Sequence, residues 1–369
     1  MNEPIQPPPR PETPTPPQAA PVQAASPQAA PVQAASPQAA PVQAAEGNPV
    51  SAVAAAAGLV QRIKQEIQKV IVGQEDVIDQ VLVGLLAGGH VLLEGVPGLG
   101  KTLLVRALSK TFSGRHARIQ FTPDLMPSDV MGHVMYDMQQ AQFKVRRGPI
   151  FTQILLADEI NRAPAKTQAA LLEAMQEHQV TLEGQTLKLP QPFMTLATQN
   201  PVEQEGTYPL PEAQLDRFLL KIQMHYPEEM EEFNLVDQVV SGKVGEAFDL
   251  SNITPVTDGD GLVKLQQFTA RIQVDRRVLE YAVKLVRTTR DWAGVAVGSG
   301  PRGGISLLRA ARAYALLQER NFVTPDDLKA VAVPALGHRI VMTPDMEIEG
   351  QTTENLLGQI LKHLEAPRL

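Results

Sequence analysis

The chain has 369 residues and a formal net charge of −7. That length suits about two domains, each able to bury a core, and the charge argues against a broad nucleic-acid or membrane footprint. There is no cysteine, which excludes disulfides, thiolate catalysis and cysteine-based zinc sites and fits a reducing compartment. The opening Met1-Asn2-Glu3 lacks the basic start and apolar run of a signal peptide. The most apolar stretch, residues 81–96, is interrupted by Gly88, Gly89, His90 and Glu94, so it is too short and broken to cross a bilayer. A soluble cytoplasmic protein is expected.

Residues 1–50 form a separate region. From Pro17 the unit Pro-Gln-Ala-Ala-Pro-Val-Gln-Ala-Ala-Ser runs twice, and a third copy ends in Glu46. Such frequent prolines forbid a continuous helix, and with almost no large apolar residue the segment cannot offset its ordering entropy. It reads as a disordered, partly polyproline II arm.

An α/β domain is expected over 51–226. Val60, Ile63, Ile67, Val70 and Ile71 recur at helical spacing; Val72-Gly73-Gln74 breaks the helix, and Val77, Val81 and Leu85 continue another. Apolar runs at 90–94, 117–121, 154–157, 194–197 and 218–222 then read as strands, with helices at 101–111 and 166–176. Strands buried on both faces and separated by helices imply a mostly parallel sheet. From about residue 227 the strand runs stop, and 227–240, 275–289, 304–318 and 324–333 read as helices, so a small helical domain is expected over 227–369. Thr324-Pro325-Asp326-Asp327 is a strong helix start, with a capping hydroxyl, a first-turn proline and acids facing the helix dipole.

Gly95-Val96-Pro97-Gly98-Leu99-Gly100-Lys101-Thr102 matches the phosphate-binding loop G-x-x-x-x-G-K-[ST] and sits between an apolar strand and a helix. The glycines let several backbone N–H groups converge on phosphate oxygens, and the helix N-terminus adds partial positive charge. Lys101 would reach the β- and γ-phosphates of ATP, and Thr102 would ligate Mg²⁺. Leu103 continues the helix beside the nucleotide. The apolar run 151–157 ends in Asp158-Glu159. Asp158 would hold Mg²⁺ through water, and Glu159 would polarise the attacking water. Arg162 follows, with a neighbouring subunit or a surface ion pair as equal options. Asn200, closing the next strand, would help place that water.

Phosphate loop, Asp158-Glu159, Asn200 and then Leu210-Pro211-Glu212-Ala213-Gln214-Leu215-Asp216-Arg217-Phe218 resemble the AAA+ ATPases. Gly148-Pro149-Ile150-Phe151, Ala157-Asp158-Glu159-Ile160-Asn161-Arg162-Ala163-Pro164, Ala197-Thr198-Gln199-Asn200-Pro201 and Glu205-Gly206-Thr207-Tyr208-Pro209-Leu210 resemble, more narrowly, the MoxR family. The resemblance spans residues 53–363. It implies an α/β AAA+ core with a helical lid, assembled as a ring, usually a hexamer, with ATP between subunits. Arg217 then matches the arginine finger that reaches a neighbour's γ-phosphate, and a fixed guanidinium suits that task. Arg302 resembles the second-sensor arginine of the lid, with Arg309 and Arg312 as competitors, and Val72-Gly73 resembles the adenine-pocket segment. The resemblance also implies a chaperone-like role in maturing or assembling partner complexes, often proteins with a von Willebrand factor A domain or metal-dependent enzymes.

Two inserts fit the same pattern: 124–147 and 180–189 read as hairpins, which either face a pore or partner or cover a sheet edge. The histidines show no paired metal spacing; His178, His225 and His338 read as surface or packing residues. A nucleic-acid motor is the alternative function, but Arg146-Arg147 and Arg276-Arg277 are isolated pairs without a binding module. A scaffold that keeps ATP only as a structural ligand conflicts with the intact Asp158-Glu159 pair.

Overall fold

The computed structural model describes residues 49–96, 98–200, 207–240 and 250–368. The repeat arm, Pro97 and the block from Pro201 to Gly206 lie outside the described residues. Five strands, β1 (Val91–Glu94), β2 (His116–Gln120), β3 (Ile154–Asp158), β4 (Met194–Gln199) and β5 (Leu220–Gln223), form one parallel sheet in the order β2-β3-β4-β1-β5. The register sets Val91 opposite Leu196 and Leu220, and Ile154 opposite His116 and Met194. All five strands therefore deliver their C-terminal ends to one edge. Strand ends differ from the expected runs by at most two residues.

The burial pattern follows position. Val91, Leu92 and Leu93, on an interior strand, are fully buried, each contributing about 1.5–3 kcal/mol relative to exposure. Edge strand β2 alternates instead: Ile119 is buried while His116, Arg118 and Gln120 are exposed, as an edge strand with one wet face requires.

Helices α1 (Pro49–Gln68) and α2 (Glu75–Leu86) precede the sheet, α3 (Lys101–Thr111) connects β1 to β2, and α4 (Ala165–Glu177) lies between β3 and β4. One core packs Leu92, Leu155 and Ala197 against Leu171 and Leu172 of α4. The other packs Val91, Leu93, Leu156 and Leu196 together with α1, α2 and α3, and continues unbroken into Leu285, Leu316 and Leu336 of the helical region. The two expected hairpins form, Gly132–Asp137 with Gln142–Arg147 and Gln179–Leu182 with Gln185–Lys188. On the first, Tyr136 and Phe143 meet edge to face at 5.2 Å, and Met138 and Phe143 are 89% and 76% exposed.

The region after β5 holds α5 (Glu229–Val240), α6 (Gly259–Ala270), α7 (Arg276–Asp291), α8 (Pro301–Leu317), α9 (Pro325–Leu336) and α10 (Thr353–His363). Thr324 and Asp327 cap α9 reciprocally. Helix α8 starts at Pro301, three residues before its expected start, so Arg302 lies inside its first turn. Proline fits that turn. Gly303 is required there by packing, because a Cβ would overlap Ser299 Oγ. Helix α6 goes beyond the expected set because its buried positions, Leu262, Leu265 and Thr269, make too thin a stripe. Two short strand pairs also lie in the lid, Gln273–Val274 with Phe322–Val323 and Val295–Val297 with Val341–Met342.

His90, just before β1, is a core histidine. Its Nδ1 accepts from Thr195 N–H at 3.0 Å and its Nε2 donates to Met175 O at 3.0 Å, which fixes the neutral tautomer. Burial holds its pKa down at about 4, against an ordinary 6.5. The unfolded chain takes up that proton near pH 6.5 and the folded chain only near pH 4. The stabilisation is therefore complete above pH 6.5 and drains away as pH falls toward 4, by at most about 3 kcal/mol. The thermal unfolding midpoint should drop between pH 6.5 and 4.5. His90→Gln should flatten that slope in part, leaving the share of buried His338, whose pKa burial also depresses. An unchanged slope in the variant would count against this account.

Candidate nucleotide site

The loop at residues 95–102 leaves the end of buried β1 with its entrance pinned from both sides. Gly95 N–H donates to Gln199 O of β4 at 3.3 Å, and Met224 N–H, just after β5, donates to Glu94 O at 2.7 Å. At the exit Gly100 is left-handed, with φ 78°, and no side chain caps α3. The first N–H groups of α3 therefore keep their donors for an anion. Lys101 Nζ donates to Gly95 O at 2.5 Å. Burial pulls the Lys101 ammonium below its usual pKa, opposed by the nearby carboxylates of Asp158, Glu159 and Glu94. Gln74 Nε2 lies 3.5 Å from Leu99 O, so the segment Val72-Gly73-Gln74 abuts the loop.

The acidic pair closes β3. Asp158 Oδ1 accepts from Thr198 Oγ1 at 2.6 Å, and the same hydroxyl oxygen accepts from Glu159 N–H at 2.8 Å. Thr198 is fully buried in β4, so one side chain fixes both acids. Glu159 turns left-handed, φ 55° and ψ 50°, a conformation costing a non-glycine residue about 1–2 kcal/mol. That turn swings its side chain off the strand axis, where Glu159 Oε2 accepts from Gln120 Nε2 at 2.7 Å and pairs with Arg162 Nε at 3.0 Å. Arg162 thus sits on the chain's own Glu159. Asp158 Oδ2 accepts from Arg118 Nη2 at 2.6 Å and Nε at 3.1 Å. A hydroxyl at Thr102 and a carboxylate at Asp158 are hard oxygen donors. Such a set fits Mg²⁺ that brings phosphate and water oxygens with it.

Asn200 is buried at the end of β4, on the edge that carries Asp158. Arg217 lies elsewhere. Its Nη1 donates to Leu172 O at 3.1 Å and Gln176 Oε1 at 2.6 Å of α4. With Asp216, Arg302, Ser306 and Arg309 it lines a cavity of about 280 Å³ that, among the described residues, no phosphate-loop residue borders. Arg302 Nε stands 3.8 Å from Asp216 Oδ2, whereas Arg309 Nη2 donates to Ala87 O and Gly88 O at 2.6 and 3.1 Å. The structure thus brings Arg217 and Arg302 together, apart from Lys101 and Glu159. Sequence reasoning missed Thr198, Arg118 and Gln120.

A parallel α/β sheet with this loop and this acidic pair at one edge defines a P-loop ATPase. Residues 90–220 match the model of the ATPase family associated with various cellular activities (AAA), and residues 287–360 match the AAA lid domain. Chaperone MoxR1 of Mycobacterium tuberculosis is 40% identical over 334 residues, covering 86% of this chain and 85% of that protein. YeaC, an uncharacterized protein of Bacillus subtilis, is 45% identical over 309 residues, 84% of this chain and 95% of its own. A crystal structure of a Cytophaga hutchinsonii protein assigned as an ATPase superposes with a TM-score of 0.79 at 39% identity, covering 86% of this chain and 98% of that one. The chain belongs to the MoxR family of AAA+ ATPases and is an ATP-hydrolysing P-loop enzyme. No described helix is long and apolar enough to cross a membrane.

The Thr198 hydroxyl carries a testable load. Thr198→Val keeps the shape but removes a hydrogen bond to a charged carboxylate, worth about 1.5–3 kcal/mol. Steady-state ATPase assays should show kcat lowered about tenfold or more, and Thr198→Ser should restore most of it. Equal rates in wild type and Thr198→Val would remove Thr198 from the site.

Proposed function

We propose that the protein hydrolyses ATP with Mg²⁺ in a ring, usually a hexamer, and uses the resulting movement to remodel, mature or assemble partner protein complexes. The observation that carries this reading is the division of the site. Lys101, Thr102, Asp158 and Glu159 gather on one edge, and Arg217 and Arg302 gather around a separate cavity. One chain holds both halves but does not bring them onto one nucleotide, so a neighbouring copy supplies the second half.

In the first half, the N–H groups at the start of α3 and Lys101 bind the phosphates, and Val72-Gly73 flanks the base. Thr102, and Asp158 through water, would hold Mg²⁺, which would supply positive charge to offset that developing on the phosphates. Glu159, aimed by its left-handed turn, accepts a proton from the attacking water, and Asn200 orients that water. From the neighbour, Arg217 and Arg302 offset charge on the γ-phosphate oxygens. The chaperone name of the M. tuberculosis relative supports a client role. The exposed Met138 and Phe143 of the first hairpin supply apolar area for gripping a client. A von Willebrand factor A domain protein is the client class proposed, and the cytoplasm the proposed location.

Glu159→Gln should bind ATP with near-normal affinity but turn it over at least about 100-fold more slowly, the usual weight of a general base. Nucleotide binding by calorimetry together with phosphate release checks both halves of that statement. Normal turnover in the variant would reject the role of Glu159.

A further inference from the structure

Arg339 is the most heavily bonded buried cation among the described residues. It follows α9 in a single turn, Gly337–Arg339, and its side chain is 3% exposed. Its Nε donates to Asp216 Oδ1 at 2.7 Å. Its Nη2 donates to Asp216 O at 3.1 Å, Phe218 O at 2.6 Å and Ser306 Oγ at 3.1 Å, and its Nη1 to Leu219 O at 3.3 Å and to Ala335 O. Burial lowers its pKa and the Asp216 carboxylate raises it. A guanidinium removed from water is tolerated only when its donors are met, and here they are met by three separate segments.

The three segments are informative. Asp216, Phe218 and Leu219 bracket Arg217 in the turn before β5. Ser306 lies one turn along α8 from Arg302. Ala335 belongs to α9. Asp216 meanwhile faces both lid arginines, Arg339 at 2.7 Å and Arg302 at 3.8 Å. His338 reinforces the same turn, its Nε2 donating to Phe218 O at 3.2 Å.

We propose that Arg339 is a positioning residue that locks the Arg217 turn to the first turns of α8, so that Arg217 and Arg302 form one rigid clamp presented to the neighbouring copy's nucleotide. Arg339 touches neither nucleotide nor water. The lid and the arginine finger then move as one body, and a shift of the lid in one copy repositions charge in the next copy's site. The proposal rests on the divided-site reading above.

The test co-expresses two full-length variants under different tags and isolates doubly tagged assemblies. Lys101→Ala lacks a working phosphate loop but keeps its clamp. Arg339→Gln keeps its loop but loses the lock. Alone, Arg339→Gln should lose at least about tenfold in kcat with less than a twofold change in KM for ATP, and Arg339→Lys should recover only part, since one ammonium cannot reach all six acceptors. Mixed with Lys101→Ala, it should regain several-fold more activity than the two variants give separately, because the interface of an intact loop with an intact clamp is re-formed. Arg217→Ala mixed with Lys101→Ala is the control. Recovery in the control without recovery for Arg339→Gln overturns the proposal, since its defect then is not confined to the clamp. No recovery in the control overturns the divided-site reading and the proposal with it. If Arg339→Gln does not fold by circular dichroism, Asp216→Asn takes its place, and wild-type kcat in that variant overturns the proposal.

Discussion

The chemistry at the sheet edge depends on one buried hydroxyl. Thr198 donates to Asp158 and accepts from the backbone of Glu159, so it fixes the Asp158 carboxylate and the unusual turn of the next residue in one stroke. A backbone held in the left-handed region by a bond across two strands keeps its geometry only while the strands keep their register. The apolar interior of β1, β3 and β4 is what holds that register. Core and catalysis are thus linked through a single side chain rather than through general rigidity.

How much of this was legible beforehand follows from where each contact lies in the chain. The phosphate loop and the Asp158-Glu159 pair are contiguous, and their flanking apolar runs announce strands, so sequence alone placed them. Gln120 and Arg118 were invisible because they act through strand pairing. The β2–β3 register sets Gln120 opposite Asp158, and a two-residue period brings Arg118 to the same wet face. Thr198 looked like an ordinary residue within a strand, and only its neighbour across the sheet gives it a task. The start of α8 was misjudged for a different reason. Two glycines after Arg302 lower helix propensity, but packing against Ser299 and Leu336 outweighs that cost.

The lid is not an appendage. The core on one sheet face runs into it without interruption, and α8 packs on both α1 and α2. Helix α2 begins directly after Gly73-Gln74, beside the phosphate loop, while α8 carries Arg302 in its first turn. The packing of these two helices therefore joins the segment beside the phosphate loop to the helix that carries Arg302 and Arg309. A change in helix packing of one or two ångströms is a sufficient lever for such a system, because packed helices shift between discrete arrangements rather than deform.

Arg118 already grips Asp158 Oδ2, the oxygen next to the one that Thr198 holds. Any cation held at Asp158 would therefore share the carboxylate with a guanidinium already bonded to it. Glu159 and Glu94, the other carboxylates near Lys101, are paired with Arg162 and Lys221. The edge strand works as a counterweight. A cation held at Asp158 would compete with Arg118 for that carboxylate, so the grip of the site would be set partly by a residue of the edge strand.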